Sequence, residues 1–221
     1  EIDSYINQTE IIHKIKIREF VNSLSNNIYH LDFETYQSAV PPFNGLKPYQ
    51  QIPFQYSAHY ENNGTIEHYE FLADPSNDPR EAFVKALIND MNKDGDILVY
   101  NIGFERGRLN ELIRILPKYQ AQLESIIDRM KDLMIPFKEK WYYVPAMKGS
   151  YSIKYVLPAL VPSLSYDNLE INDGSLASST FANLHNISDL DQIHKTRKHL
   201  LEYCKLDTLA MVKILEVLRS V

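Results

Sequence analysis

The alternation of apolar and polar positions divides the chain into strand-like and helix-like segments. Short apolar and aromatic runs bounded by turn residues predict strands at residues 28–33, 54–60, 66–72, 96–100 and 132–135. Apolar positions that recur three and four apart predict helices at residues 9–24, 79–91, 104–116, 119–130, 152–160, 174–184 and 190–218. A break within the last helix is left open, and the aromatic stretch at residues 141–144 fits either a strand or a loop. This order of elements predicts an α/β fold with a mixed sheet.

Turn residues and the first residue of the chain suggest how it is organised. Prolines within residues 40–53 predict an irregular surface insertion beside the carboxyl end of the first strand. We divide the chain into an N-terminal helical segment at residues 1–26 and a main domain at residues 27–221. Because the chain begins at Glu1 rather than at a methionine, we expect the first segment to be a junction to a larger polypeptide.

Composition narrows the class of protein. Hydrophobic residues make up 44% and charged residues 24% of the sequence, which is typical of a globular protein. No apolar run reaches the ~18 residues that a membrane-spanning helix needs, so we expect no membrane partner. The single cysteine, Cys204, excludes an intramolecular disulfide and fits the reducing cytoplasm, where we expect the protein. The net charge of −6 argues against a nonspecific nucleic-acid coat protein, but not against a metallonuclease whose acidic residues are partly ligands.

A pair of carboxylates ends the first predicted strand. Residues two apart on a strand face the same way, so Asp32 and Glu34 project together while Phe33 faces the opposite side. Adjacent carboxylates repel each other unless a cation neutralises them, and Mg²⁺ and Mn²⁺ prefer carboxylate oxygens. Taken alone, the pair fits a solvated strand end equally well.

Two further acidic positions lie where α/β enzymes hold ligands. Glu105 follows the apolar strand at residues 96–100, although an isolated glutamate there would also favour the first turn of its helix. Tyr203 and Asp207 are four residues apart and therefore share one face of the last helix. Each alone has an ordinary alternative, a core position for the tyrosine and a solvated one for the aspartate.

In their order and spacing these residues resemble the three motifs of the DEDD superfamily of 3′→5′ exonucleases, which includes polymerase proofreading domains and RNase D. The matching positions are Asp32 and Glu34, then Asn101, Phe104 and Glu105, then Tyr203 and Asp207. The chain is also similar to an uncharacterised bacterial domain family placed in that superfamily, in the segments at residues 53–57, 149–154 and 203–211. The resemblance spans residues 28–218.

The resemblance implies an RNase H-like fold, a mixed five-stranded sheet flanked by helices with extra C-terminal helices. It implies hydrolysis of phosphodiester bonds at single-stranded ends of DNA or RNA by a mechanism with two ions, Mg²⁺ or Mn²⁺. The metal ligands would be Asp32, Glu34, Glu105 and Asp207, with Asp32 bridging both ions. Tyr203 would orient the attacking water, because a pKa near ~10 makes tyrosine a poor base at neutral pH.

Five other residues are expected near the substrate: Thr35, Asn101, Arg106, Tyr151 and Lys154. The arginine and the lysine would meet backbone phosphates and the tyrosine would stack on a base, with solvated or core positions as the alternatives.

Two departures from the family pattern keep other functions open. Glu105 stands where the superfamily usually has an aspartate, and its side chain is longer by one methylene, which could weaken one metal site. Glu202 stands where another branch has a histidine, so the branch with Tyr203 is the better match. Glu105 and the acidic net charge favour the main alternative, a non-catalytic nucleic-acid-binding or interaction module that keeps the fold. An internally cutting endonuclease fits the Tyr-x-x-x-Asp motif less well.

Overall fold

The computed structural model describes residues 9–221, and its centre is a five-stranded sheet. In chain order the strands are β1 (Ile11–Ile12), β2 (Ile28–Tyr36), β3 (Ile52–Asn62), β4 (Thr65–Leu72), β5 (Asp96–Val99), β6 (Met130–Asp132) and β7 (Tyr142–Tyr143). The strand order in the main sheet is β4-β3-β2-β5-β6. Strand β2 runs antiparallel to β3 and parallel to β5, so the sheet is mixed, as the sequence predicts.

Helices cover both faces of this sheet. They are α1 (Lys14–Asn22), α2 (Pro79–Asp90), α3 (Ile102–Ile115), α4 (Gln120–Asp128), α5 (Ile135–Lys138), α6 (Ile153–Leu160), α7 (Gly174–Asn183) and α8 (Leu190–Arg219). This α/β architecture, with helices after the last strand of the sheet, confirms the expected fold class. Helix α8 is continuous over 30 residues, so it has no break. No helix between residues 9 and 221 is long and apolar enough to span a bilayer.

Two apolar cores lie on opposite faces of the sheet because the side chains of β2 alternate between them. Tyr29, Leu31 and Phe33 are buried in one core with residues of α2, α3 and α4. The other core joins Ile28 and Phe54 to residues of α6, α7 and α8. The intervening β2 side chains, among them the two candidate metal ligands, therefore face α8.

The structure differs from the predicted elements in two places. The helix predicted at residues 9–24 begins only at Lys14, because Ile11 and Ile12 form β1, which pairs with β7. The fifth strand of the sheet is Met130–Asp132 rather than residues 132–135, and the chain after it turns into α5. Both differences arise from pairing between distant segments, β1 with β7 and β6 with β5, which local spacing does not encode.

The first helix packs on the main domain. Ile17 is fully buried in the core beneath α8, and Arg18 Nη2 donates a hydrogen bond to the Val221 carbonyl at 3.1 Å. Residues 1–8 of the segment predicted at residues 1–26 lie outside the described residues. The division of the chain after residue 26 stays a prediction.

Candidate metal centre

The two carboxylates of β2 lie where its pairing with β3 becomes irregular. Asp32 lies opposite Ser57 and Glu34 opposite Gln55, and the register shifts between Glu34 and Thr35. Such irregularities re-aim side chains at the ends of strands. Both carboxylates remain on the face of the sheet that α8 covers, as the alternation in the sequence predicts.

Helix α8 is held over β2 and β3 by buried polar contacts. Gln55 Nε2 donates to the Leu200 carbonyl at 2.7 Å, and the hydroxyls of Ser57 and Thr208 are 2.7 Å apart. Gln55 and Ser57 are the β3 residues directly opposite the two carboxylates of β2. These contacts fix the position of α8 along the strands, so that Asp207, the neighbour of Thr208, faces the β2 pair.

Three of the predicted ligands gather at one point. Asp32, Glu34 and Asp207 each offer a carboxylate oxygen, and these oxygens lie within 4.8 Å of one another. Glu34 is 8% exposed and Asp207 6% exposed, while Asp32 is half-buried. The three side chains line a cavity of about 160 Å³ together with Tyr203 and Lys154.

Burial raises the pKa of all three carboxyl groups, and repulsion from neighbouring carboxylates adds to the shift for Asp32 and Glu34. For Asp32 the main cause is burial, followed by the charge of Asp207. For Glu34 the causes are burial and then the charges of Asp32 and Asp207. Burial raises the pKa of Asp207 to about 6, against the opposing effects of a hydrogen bond from Tyr166 and the charge of Lys154. The cluster therefore holds more negative charge than its surroundings neutralise, which suits a divalent cation with oxygen ligands.

Lys154 and Tyr166 complete the surroundings of the cluster. The Tyr166 hydroxyl donates to Asp207 Oδ1 at 2.7 Å. Lys154 Nζ donates to the Asn172 carbonyl at 3.0 Å and lies 5.6 Å and 5.4 Å from the ring centroids of Tyr166 and Tyr203. One ammonium group thus faces three carboxylates.

The fourth predicted ligand, Glu105, lies beside this group but is not part of it. It is in the first turn of α3 and 1% exposed, and its Oε2 has no hydrogen-bond partner among residues 9–221. Burial, and after it the charge of Asp32, raises the pKa of Glu105 well above its ordinary value. A buried carboxylate oxygen without a partner is unusual unless it binds a ligand or an ion.

Asp132 sets the start of α3 and thereby the position of Glu105. Its carboxylate accepts hydrogen bonds from the backbone nitrogens of Asn101 at 3.1 Å, Ile102 at 3.2 Å and Met134 at 2.9 Å. Asn101 itself has a φ of 93°, in the left-handed region, and its side chain does not cap the helix. Asp132 therefore supplies the acceptor that the first helical N–H groups need.

A larger groove adjoins the cluster. It has a volume of about 480 Å³ and runs between the end of β2 and the start of α7. Its lining residues are Phe33, Glu34, Thr35, Gln37, Gln51, Phe104, Lys154, Asp173, Gly174, Ser175 and Ser178. Of the residues expected near the substrate, Thr35 and Lys154 line this groove. Asn101, Arg106 and Tyr151 are exposed and line neither the groove nor the cavity of the cluster.

Comparison with known proteins places the chain in a family. The model of a family described as "Domain of unknown function (DUF2779)" matches residues 29–152, more than half of the 221 residues. The chain belongs to this family. The part that matches DUF2779 contains Asp32, Glu34 and Glu105 and ends before Lys154 and α8.

Relatives of this DUF2779 chain extend over the rest of it. The "Uncharacterized protein MG366 homolog" of Mycoplasma pneumoniae is 28% identical over 219 residues, covering 90% of this chain and 33% of that protein. The "Uncharacterized protein UU173" of Ureaplasma parvum is 26% identical over 237 residues, covering 95% of this chain and 34% of that protein. The chain spans about a third of the length of these relatives. No solved structure matches it.

Sequence reasoning missed Tyr166 and the α7 side of the groove. Tyr166 lies in a loop and in no motif, so only the fold brings it to Asp207. Asp173 before Gly174 and Ser175 is a helix-start signal, and the Asp173 carboxylate does accept from the Leu176 backbone nitrogen. The helix that starts there was predicted from residue 174, but nothing in the sequence indicated its place beside Glu34.

Proposed function

We propose that this chain is a metal-dependent 3′→5′ exonuclease domain that hydrolyses phosphodiester bonds at the ends of single-stranded DNA or RNA. The observation that carries the proposal is the convergence of Asp32, Glu34 and Asp207, whose carboxylate oxygens lie within 4.8 Å of one another in a small cavity. The acidic side chains come from β2 and α8, at opposite ends of the described chain, in the motif order of the DEDD exonucleases.

The residues present fit Mg²⁺ or Mn²⁺, which take oxygen ligands. Asp32, Glu34 and Asp207 would hold the metal, and the unpartnered Oε2 of Glu105 would contribute to a second position. Two ions bound there would supply an activated water and would stabilise charge on the leaving oxygen. Lys154 lines both the cluster cavity and the groove, and its ammonium can contact a substrate phosphate at the cluster.

Tyr203 acts as a hydrogen-bond donor in this proposal. Burial and the negative charges of Asp207, Glu34 and Asp32 raise the pKa of its hydroxyl far above the ordinary value. The hydroxyl therefore stays protonated and cannot serve as a base at neutral pH. It can orient a water molecule or a substrate oxygen within the cavity.

One observation favours a second function, a nucleic-acid-binding or interaction module without catalysis. The carboxylate of Glu105 does not join the group of three, and Asp32, Glu34 and Asp207 alone would hold a single ion. A site with one ion would still bind a phosphate, but it would lack the second charge that a two-metal hydrolysis needs.

Location and context form part of the same proposal. The single cysteine, Cys204, fits the reducing cytoplasm. Because the chain covers only about a third of its relatives, we propose that the exonuclease domain works within a larger polypeptide.

The test is incubation with single strands of DNA and RNA labelled at the 5′ end, in the presence of Mn²⁺, Mg²⁺ or EDTA. We expect a ladder of products that shorten from the 3′ end with metal and no products with EDTA. Glu34→Gln should abolish the ladder, and Glu70→Gln on β4, a carboxylate outside the cluster, should preserve it. Intact strands in both metals, together with measurable binding of the strands, would support the binding module instead.

A further inference from the structure

We propose that the groove beside Glu34 binds the sugar of the terminal nucleotide and selects a ribonucleotide over a deoxyribonucleotide. The inference rests on the proposed exonuclease function and names its substrate as RNA. It follows from the chemistry of the groove lining, from unpartnered polar groups that face the groove, and from the glycine at its floor.

The groove is continuous with the acidic cluster. It shares Phe33, Glu34 and Lys154 with the smaller cavity that contains Asp32 and Asp207. A nucleotide whose phosphate lies at the cluster would therefore place its sugar in the groove. The groove volume of about 480 Å³ is ample for one nucleoside.

The lining suits hydroxyl groups better than phosphate groups. Glu34 and Asp173 are carboxylates that repel a phosphate, and the lining otherwise consists mainly of neutral hydroxyls and amides. Lys154 is the single cationic side chain of this lining, and it already donates to the Asn172 carbonyl. A sugar hydroxyl is both donor and acceptor, so it can satisfy carboxylates and N–H groups together.

Glu34 is a buried acceptor that lacks a donor. It is only 8% exposed, and among residues 9–221 no group donates a hydrogen bond to its carboxylate. A carboxylate has two oxygens, so one can bind a metal ion while the other accepts from a hydroxyl. The Leu176 N–H of α7 already donates to Asp173, which leaves the N–H groups of Gly174 and Ser175 as donors on the other side.

The serines of α7 supply more hydroxyl partners than a deoxyribose can use. Ser175 and Ser178 are one turn apart and both line the groove. Within residues 9–221 neither hydroxyl forms a hydrogen bond, whereas the next residue, Ser179, donates to the Leu176 carbonyl at 3.1 Å. A terminal deoxynucleotide offers only its 3′ hydroxyl, whereas a ribonucleotide offers 2′ and 3′ hydroxyls to this set.

Gly174 keeps the floor of the groove open. A Cβ atom added there would lie 3.6 Å from Glu34 Oε2 and 3.9 Å from the Tyr203 hydroxyl. Gly174 is the first residue of α7, where alanine is a better helix former than glycine. Gly174→Ala should therefore fold normally and place a methyl group where the sugar would approach Glu34.

The experiment compares three 5′-labelled oligonucleotides of one sequence: all RNA, all DNA, and RNA with a single 2′-deoxy residue at the 3′ end. For the unmodified chain we expect the first cleavage of RNA to be about tenfold faster than that of DNA, the scale of one well-placed hydrogen bond. The single terminal deoxy residue should account for most of this difference. The affinities for the same strands in EDTA, measured by fluorescence anisotropy, should be highest for RNA and lower for the two strands that end in a deoxy residue.

Variants test the assignment to the groove. Ser175→Ala combined with Ser178→Ala should reduce the ratio of RNA to DNA rates to about threefold or less, whereas the matched control Ser179→Ala should keep the ratio. Gly174→Ala should lower the rate on RNA at least tenfold without lowering the melting temperature.

The outcomes separate the two proposals. Cleavage of DNA and RNA at equal rates, or a preference that survives the double serine substitution, would overturn the selection of ribose while the exonuclease stands. A deoxy residue that slows cleavage equally at an internal position would also overturn it. Absence of cleavage of either polymer would overturn the exonuclease proposal and this inference with it.

Discussion

Tyr203 and Asp207 are one helical turn apart, yet their hydroxyl and carboxyl groups have different protonation behaviour. The pKa of Tyr203 is raised by burial and by nearby carboxylates, so the hydroxyl remains a donor. Asp207 accepts a hydrogen bond from Tyr166 at 2.7 Å, which occupies Oδ1. A carboxylate has about four acceptor sites, so Asp207 can accept this hydrogen bond and still bind a metal ion.

Tyr203→Phe removes one hydroxyl and nearly preserves the side-chain volume. We expect it to leave metal affinity nearly unchanged and to slow cleavage by roughly ten- to a thousandfold, the scale of losing one positioned polar group. Asp207→Asn should abolish turnover, because it removes a ligand charge. Single-turnover rates on a short 5′-labelled strand measure both effects. Equal rates for the unmodified chain and Tyr203→Phe would remove Tyr203 from the mechanism.

Tyr166→Phe tests whether the hydrogen bond to Asp207 positions this ligand. Groups that hydrogen-bond to metal ligands typically change metal affinity by roughly ten- to a hundredfold when removed. We therefore expect half-maximal activity to require about tenfold more Mn²⁺, with little change in the rate at saturation. The matched control is Tyr143→Phe, whose hydroxyl is buried without a hydrogen-bond partner in the described part of the chain. An unchanged metal requirement for Tyr166→Phe would refute the positioning role.

Residue spacing predicted the acidic pair on β2 but could not predict Tyr166. Alternation along a strand places Asp32 and Glu34 on one face whatever the rest of the chain does. Tyr166 reaches Asp207 only because the loop between α6 and α7 folds back on α8. That contact depends on the packing of three helices, which no local pattern records.

At the scale of elements, α8 is joined to β3 and β4 by a chain of polar side chains. His59 Nδ1 lies 2.8 Å from the Thr208 hydroxyl, and Ser57 links Thr208 to His68 at distances of 2.7 Å and 2.9 Å. Burial lowers the pKa of His59 to about 3, and the charges of His68, His30 and Lys205 add to this shift. Burial likewise lowers the pKa of His68 to about 4.

This network should make stability depend on pH. Because the folded pKa of His59 lies below its ordinary 6.5, the unfolded chain takes up the proton first as the pH falls. The contribution of His59 to the free energy of unfolding is complete above about pH 6.5. Below that pH it declines by at most about 1.4 kcal/mol per pH unit. The free-energy advantage of the unmodified chain over His59→Asn should therefore shrink from pH 7 to pH 4. Denaturant unfolding measures it, with the exposed His185→Asn as control, and a constant advantage would contradict the prediction.

The elements that the sequence predicted correctly are those whose own pattern suffices. Strands β2, β3 and β5 carry apolar runs, and α8 carries helical spacing over its length. Strand β1 was predicted as helix because Ile11 and Ile12 also fit helical spacing, and only the pairing with Tyr143 and Tyr142 makes them a strand. Short strands depend on their partners more than on their own residues.

At the scale of the whole molecule, the fold concentrates acidic groups that the sequence spreads over most of the chain. Asp32, Glu34 and Asp207 have folded pKa values above their ordinary ones, so without metal the folded state binds protons more readily than the unfolded state. By linkage, their effect on the metal-free protein is stabilising as the pH falls through about 6 and is lost as the pH rises. A bound cation should neutralise the repulsion among these three carboxylates.

Divalent metal should therefore stabilise the folded chain by mass action, because only the fold gathers the ligands. At a concentration one hundred times the dissociation constant, Mn²⁺ should add about 2.7 kcal/mol, which raises the melting temperature by roughly 5–10 °C for a chain of this size. Asp207→Asn should raise the melting temperature without metal, because it relieves the repulsion between carboxylates. Because it also removes a ligand, the variant should lose most of the rise in melting temperature that Mn²⁺ produces. Glu70→Gln, outside the cluster, should keep the response of the unmodified chain. Two results would show that these carboxylates are not held together for a metal ion. One is a melting temperature that millimolar Mn²⁺ does not change; the other is an Asp207→Asn variant that, without metal, is less stable than the unmodified chain without metal.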